Sequence, residues 1–355
     1  MTIHFLLLFL AFITFLFSVD KNQIKIGIAL TTAIFWIFAY VLVTFRAENI
    51  GNDTLAYADY FRDSLLYDSL HEYIEFGSGR FEKGFAILTF LISRISENST
   101  IFFAICNALY FSATIYFFRH FSFNKNAWIL PWFLVWMYYN LFNTLRSCMA
   151  IVFIYFFMLD FLQNKKIKSL IWFGVAASMH VTALSAGIIF LLKSSKIKKI
   201  LSHDIILLLT FGLIGIMFAQ VMTLLPSYYS NYYFKSEYGQ GPTRIASIVD
   251  LVFLSSLYLL SRLKRLDVWE YHDTFKVMYL YAIGMSFLGL FLPNFNRIEF
   301  LFMPFVLIYI INTFKYHAAW RKILIVLIFC AMAVYQVIAL IIRPEWLSIF
   351  PYAFK

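Results

Sequence analysis

The stretch that decides the fold is Ser169–Leu192, SLIWFGVAASMHVTALSAGIIFLL. It is apolar and long enough to cross a hydrocarbon layer that takes about 20 helical residues. Yet Lys165, Lys166 and Lys168 flank its start, and Lys193, Lys196, Lys198 and Lys199 follow it. Cytoplasmic loops collect Lys and Arg, so lysines at both ends put both ends on one side. The run then goes in and comes back, a re-entrant hairpin with His180 at its turn among Ala176, Ala177, Ser178, Thr182 and Ala183. A single crossing would instead carry three later basic loops, with 11 Lys and Arg, to the outside. An interrupted helix is stable at membrane depth only where protein or a watery cavity satisfies its released backbone groups.

Working outward, ten runs have the length and apolarity of full crossings: 3–19, 26–45, 99–118, 127–142, 147–162, 205–225, 245–260, 273–292, 298–314 and 323–342. The short run 84–95 is expected not to cross fully. The predicted fold class is therefore all-α, a polytopic transmembrane bundle forming one integral membrane domain over 1–355. The composition agrees: 62% of the 355 residues are hydrophobic and 14% charged, where soluble chains carry about 25% charged residues. That excludes a soluble enzyme, a disordered chain and a nucleic-acid-binding protein, despite the net charge of +10. Sorted by side, the cytoplasmic loops hold 18 of the 29 Lys and Arg against six acids, and the remainder is acidic by two charges.

The outer side has two long loops. Residues 46–83 hold eight acids and four bases with recurrent Tyr, Leu and Phe, which predicts short helices lying on the membrane surface. Residues 226–244, PSYYSNYYFKSEYGQGPTR, are rich in Tyr; aromatic faces suit sugar rings, and aromatics also populate membrane interfaces. The N-terminal run lacks a basic leader and a small-residue cleavage site, so it reads as a retained helix. Three cysteines, Cys106, Cys148 and Cys330, lie in apolar runs with no metal or disulfide pattern.

With this topology a polar set falls on the outer side: Arg46, Asp53, Arg80, Glu82, Asn143, Arg146, His180, Arg244, Asn294 and Arg297. Ionisable groups at membrane depth are costly and are functional candidates. Arg146 and Arg297 each sit where a helix begins, a position that favours anions, and a guanidinium matches phosphate oxygens bidentately. The plainer reading is that they snorkel to the interface, or that Arg297 pairs with Glu299. Arg46, Arg80 and Arg244 are further cations at helix ends. His180 is either a satisfied structural residue or a base, since imidazole titrates near neutrality. Asp53 and Glu82 are alternative bases or arginine partners, and Asp250 pairs within the bundle or lines a cavity. No Asp-rich cluster precedes a helix, so no metal and no cofactor are expected.

These residues fall in an order that resembles the EpsG-like family of Wzy-type polysaccharide polymerases. The pattern R…G-x-D-x-x-x-Y matches Arg46, Gly51, Asp53 and Tyr57, and a Glu opening an apolar segment matches Glu82 with Gly84. N-x-x-R-x-x-x-A matches Asn143, Arg146 and Ala150, A-x-x-x-H-x-[ST]-A-L matches Ala176 to Leu184 around His180, and a late N-R…P block matches Asn296, Arg297 and Pro304. The resemblance implies a GT-C-like membrane glycosyltransferase on the outer face of a bacterial inner membrane. Its partners would be lipid-linked oligosaccharide repeat units, with undecaprenyl diphosphate carried by the substrates, membrane lipids and a chain-length regulator. In that role Arg146 and Arg297 would stabilise the leaving diphosphate, and Arg244, Arg46, Arg80, Asn143, Asn296 and Tyr57 would bind diphosphate or glycan. His180 would be the base, with Asp53 or Glu82 second. The product would be O-antigen, capsule or exopolysaccharide. Competing readings are a glycosyltransferase using a polyprenyl monophosphate sugar, a flippase of lipid-linked glycan, and a membrane O-acyltransferase.

Overall fold

With no water in the hydrocarbon layer, a spanning backbone must bond to itself. The computed structural model describes residues 2–19, 25–77, 81–122, 130–201, 203–216, 243–262, 269–291, 295–344, 347–349 and 351–355. Among these it has helices and no strand. Five helices are long and apolar enough to cross a membrane: Ile26–Thr44, Ser99–Phe121, Leu145–Leu162, Arg297–Phe314 and Ala319–Ile342. At 1.5 Å per residue, 18 to 24 residues reach about 27–36 Å, which matches a core of about 30 Å. Of the other expected crossings, 3–19, 245–260 and most of 273–292 lie in helices Thr2–Val19, Thr243–Ser261 and His272–Leu288. The first part of 205–225 forms Asp204–Ile216; the rest lies outside the described residues, as does the start of 127–142.

The chain divides into two compact units. One comprises Met1–Ala186 with Ala333–Lys355, the other Gly187–Met332. In the first unit the helices are α1 (Thr2–Val19), α2 (Lys25–Thr44), α3 (Thr54–Ser64), α4 (Lys83–Ser93), α5 (Ser99–Phe121), α6 (Leu145–Leu162) and α7 (Lys166–Met179). The loop 46–83 is helical in part, in keeping with the short helices expected from its recurrent Tyr, Leu and Phe: α3 buries Tyr57, Ala58, Tyr60, Phe61 and Ser64. The 11 residues of α4 rise about 16 Å, half a hydrocarbon thickness. Helix α7 pairs with α6, where the Trp172 Nε1–H donates to Asp160 Oδ2 at 3.0 Å and the indole stacks on Phe153.

Two stretches of the first unit depart from α-helix. Leu130–Phe142 winds as α over Leu130–Phe133, as π over Leu134–Tyr138 and as 3₁₀ over Tyr139–Phe142. Twelve of its 13 residues are buried, the condition under which irregular backbone is tolerated in a membrane. Helix α7 stops at Met179, His180 is extended (φ −157°, ψ 129°), and a 3₁₀ turn follows over Val181–Gly187. The apolar run 169–192 is thus interrupted at His180.

The second unit holds α8 (Ser195–Leu201), α9 (Asp204–Ile216), α10 (Thr243–Ser261), α11 (His272–Leu288), α12 (Asn296–Phe314) and the start of α13 (Ala319–Ile342). Gly284 of α11 lies against the Phe211 ring, where a Cβ would sit 2.1 Å from Cδ2. The basic loops of this unit are partly neutralised within it. Lys276 Nζ and Arg262 Nε lie 2.7 and 3.1 Å from the Asp204 carboxylate, and His317 donates to the Ser261 carbonyl.

Candidate active site

The Glu82 backbone is extended (φ −66°, ψ 143°) just before α4, and its side chain makes no cap bond to that helix. It reaches across to two other elements instead. Arg146, the second residue of α6, places Nη1 2.5 Å from Glu82 Oε2. His180, at the break after α7, places Nδ1 2.6 Å from Oε1. The same Oε1 accepts the Val181 N–H at 3.1 Å. That N–H belongs to the first residue of the 3₁₀ turn, so the helix break supplies both donors. The three side chains are 19%, 19% and 10% exposed for Glu82, Arg146 and His180.

Burial alone would raise the Glu82 carboxyl. The hydrogen bond from His180, the Arg146 charge and the Val181 N–H outweigh it and bring it down to about 2. An ionised carboxylate only accepts, so the His180 Nδ1 must carry the proton, and the basic lone pair of the neutral ring is on Nε2. Glu82 therefore fixes the tautomer of His180 and one arm of Arg146 at once. The Arg146 guanidinium also lies over the Phe81 ring at 4.4 Å. Tyr57, buried on α3, completes the wall: burial raises its hydroxyl, and the Arg146 charge opposes that rise.

Close packing holds these elements together. A Cβ on Gly84 would sit 2.1 Å from Ser178 Oγ and 2.7 Å from the Ser178 carbonyl. Glycine here lets α4 approach the last turn of α7, which sets the Glu82–His180 distance.

Arg46 has a different environment. It is 3% exposed, its Nε donates to Thr54 Oγ1 at 2.9 Å, its Nη1 to the Val43 carbonyl, and its Nη2 to the Leu141 carbonyl at 3.5 Å. Phe103 and Phe142 lie against the guanidinium at 4.9 and 5.0 Å. Expected as a substrate cation, it is placed as a tie between the loop after α2 and the stretch before α6, because helix-end and loop carbonyls offer it acceptors. Asn143 works beside it: its Oδ1 accepts the Asn52 N–H at 2.6 Å. Gly51 adopts φ +90°, and a Cβ there would meet the Phe142 carbonyl at 2.3 Å. Asp53 precedes α3 without a side-chain cap bond, and its charge is felt at Tyr57.

The remaining candidates are elsewhere. Arg297 is half-buried in the first turn of α12, in the second unit with Arg244 and Asn296. The side chains of Arg244 and Asn296, together with Arg80, Asn294 and residues 226–242 of the Tyr-rich loop, lie outside the described residues. Two contributors escaped the sequence reading, Phe81 and the Val181 N–H, while Ser178 was read there only as one of the small residues around the turn. The aromatic residue next to Glu82 and the small residues around His180 are the signals that mark them.

Long apolar helices, with a carboxylate, an imidazole and a guanidinium drawn together where three of them end, define a multi-pass membrane protein with a polar site at a helix break. A model of the EpsG family matches residues 28–354. The chain belongs to that family, and the match spans every candidate site residue. No curated protein and no solved structure matches the chain.

Proposed function

We propose that this protein is a polysaccharide polymerase of the Wzy type, a GT-C-like membrane glycosyltransferase with its site on the outer face of a bacterial inner membrane. It transfers the growing glycan from undecaprenyl diphosphate to the non-reducing end of an incoming lipid-linked repeat unit. The observation that carries this reading is the single Glu82 carboxylate that holds His180 on one oxygen and Arg146 on the other. Family membership supports it.

The chemistry needs a base and a cation. The acceptor hydroxyl oxygen attacks the anomeric carbon of the donor sugar, and the bond from that carbon to the diphosphate oxygen breaks. The hydroxyl proton goes to His180 Nε2, and Glu82 stabilises the imidazolium that forms. Undecaprenyl diphosphate leaves as an anion, with Arg146 as its cationic partner. Removing one such donor costs about 2.7–4 kcal/mol of barrier. Glu82 is a weak base, since its carboxyl is held down to about 2; positioning His180 is the better use of it. Asp53 remains the second base candidate. A single displacement inverts the anomeric centre, and trapping a covalent glycosyl-enzyme would overturn that step.

The test is deletion followed by gel analysis of surface polysaccharide, then purified protein with defined donors. Loss of polymer with retention of single-repeat product supports a polymerase, whereas loss of all repeat-unit transfer points to a flippase. A diphosphate-linked repeat unit should be elongated and a monophosphate-linked single sugar should not. Wild-type ladders from both Arg146→Ala and His180→Ala would refute the site.

A further inference from the structure

Polar side chains of the second unit meet where α11 ends and α12 begins. Glu299 lies in the first turn of α12, a helix apolar enough to span, and is 4% exposed. Ser286 lies in the last turn of α11 and is fully buried. Ser247 and Asp250 are both on α10, spaced so that they share a helix face. Gly289 lets that face approach: a Cβ there would sit 3.3 Å from Ser247 Oγ and 3.1 Å from the Ser286 carbonyl oxygen. The Asp250 charge and the Ser286 hydroxyl both act on Glu299.

Two observations ask for a cation here. The first is charge. Among the described residues no Lys, Arg or His pairs with Asp250 or Glu299: the ion pair expected between Glu299 and Arg297 does not form, and Lys276 and Arg262 are held by Asp204. Carboxylates at membrane depth need a counter-charge. The second is hydrogen bonding. Glu299 Oε2 and Ser286 Oγ are both buried, and neither has a hydrogen-bond partner among the described residues. A protonated carboxyl beside a hydroxyl would bond to it, whereas adjacent oxygens that do not bond each other suit a shared cation.

We infer that Asp250 and Glu299, with Ser286 and Ser247, form a Mg²⁺ site that ties α10, α11 and α12 together. Every ligand in the set is an oxygen, which suits a hard cation. A divalent ion cancels both carboxylate charges, where a monovalent one would leave a charge uncompensated. No group of three or more His, Cys, Asp and Glu able to hold a metal occurs among the described residues, so water completes the shell. Mg²⁺ keeps several waters and takes one or two carboxylates, whereas Ca²⁺ asks for more protein oxygens. The site goes beyond the polymerase reading and does not depend on it. No metal is expected from the sequence because the two acids are far apart in the chain, and only helix packing unites them.

Purified full-length protein, stripped with EDTA, tests it, with Mn²⁺ as the probe read by electron paramagnetic resonance. Bound Mn²⁺ is expected, displaced by Mg²⁺ and not by Na⁺ at the same concentration. Glu299→Gln and Asp250→Asn keep side-chain volume and should each weaken binding roughly tenfold or more. Ser286→Ala should weaken it less, and Glu97→Gln, an exposed acid of the first unit, should leave it unchanged. Mg²⁺ should raise the melting temperature of the stripped wild type and leave that of Glu299→Gln where it is. Wild type without displaceable Mn²⁺ overturns the site, as does binding that survives both acid substitutions or yields equally to Na⁺. Should the acid variants not fold, the wild type decides alone: a melting temperature indifferent to Mg²⁺ after EDTA overturns the site. Binding is read without turnover, so a protein that binds Mg²⁺ here and does not polymerise refutes only the polymerase, and a working polymerase without bound cation refutes only this site.

Discussion

Glu82 is the residue on which the site turns, and its substitutions separate charge from shape. Glu82→Gln keeps the volume but gives up the negative charge that faces Arg146 and His180. Turnover should fall by about 10²-fold or more, the usual scale for acid–base positioning, and Glu82→Asp should recover part of it. Arg146→Lys should behave almost like Arg146→Ala, because an ammonium replaces neither the planar fork nor the stacking over Phe81. Both are read as chain growth at matched protein levels. The pH dependence of stability follows from the same carboxylate. Its folded value of about 2 lies below the unfolded value of about 4.3. Its contribution is therefore complete above that unfolded value and is lost as pH falls toward 2. Thermal unfolding in detergent between neutral and acid pH should show the wild type losing more stability than Glu82→Gln. Equal losses would mean that Glu82 is not held as described.

Helix contacts set the distances that these residues use. Gly84→Ala drives a Cβ into Ser178; such overpacking costs about 1–3 kcal/mol and should separate Glu82 from His180. Gly174→Ala is the control, since nothing lies within 4 Å of a Cβ there. The expected result is a fall in melting temperature and in turnover for the first and neither for the second. The break at His180 was legible in the sequence, because lysines at both ends and small residues in the middle leave few other arrangements for an apolar run. The 3₁₀ turn that delivers the Val181 N–H to Glu82 was not legible, since VTALSAG carries no winding signal of its own. The partners of Arg46 were not legible. A guanidinium at a helix end reads the same in sequence whether it faces a cavity or bonds to loop carbonyls, and only its neighbours Thr54 and Leu141 decide between the two.

At the scale of the whole molecule, hydropathy and charge found the membrane class and most helices. They could not find the division into two units, because apolar helices carry no mark of which neighbours they pack against. Of the arginines expected on the outer side, Arg46 and Arg146 belong to the first unit and Arg244 and Arg297 to the second, and Arg80 lies outside the described residues. Topology is testable with an impermeant thiol reagent in a cysteine-free background. Asp68→Cys and Glu97→Cys, on either side of the short α4, should both label from outside. Lys166→Cys and Lys196→Cys, on either side of the His180 break, should both label only after the membrane is opened. Outside labelling of Lys196→Cys would make 169–192 a full crossing.

In sequence the second unit is inserted between two pieces of the first, and the later piece bonds to the loop after α2 in the earlier one. Ser348 accepts the Gly51 N–H, Ala353 accepts the Ala47 N–H, and Lys355 pairs with Glu48. In sequence, 307 residues separate Lys355 from Glu48. At a synthesis rate of about 5–20 residues per second, the loop waits roughly 15–60 s for its partner. During that interval Gly51, Asn52 and the start of α3 lack their final hydrogen bonds, and α3 is the helix that carries Tyr57 to Arg146. Final packing of the loop is therefore tied to synthesis of the stretch Ser348–Lys355: a ribosome that stalls before Ser348 leaves a chain whose helices can insert but whose Tyr57 wall is not locked.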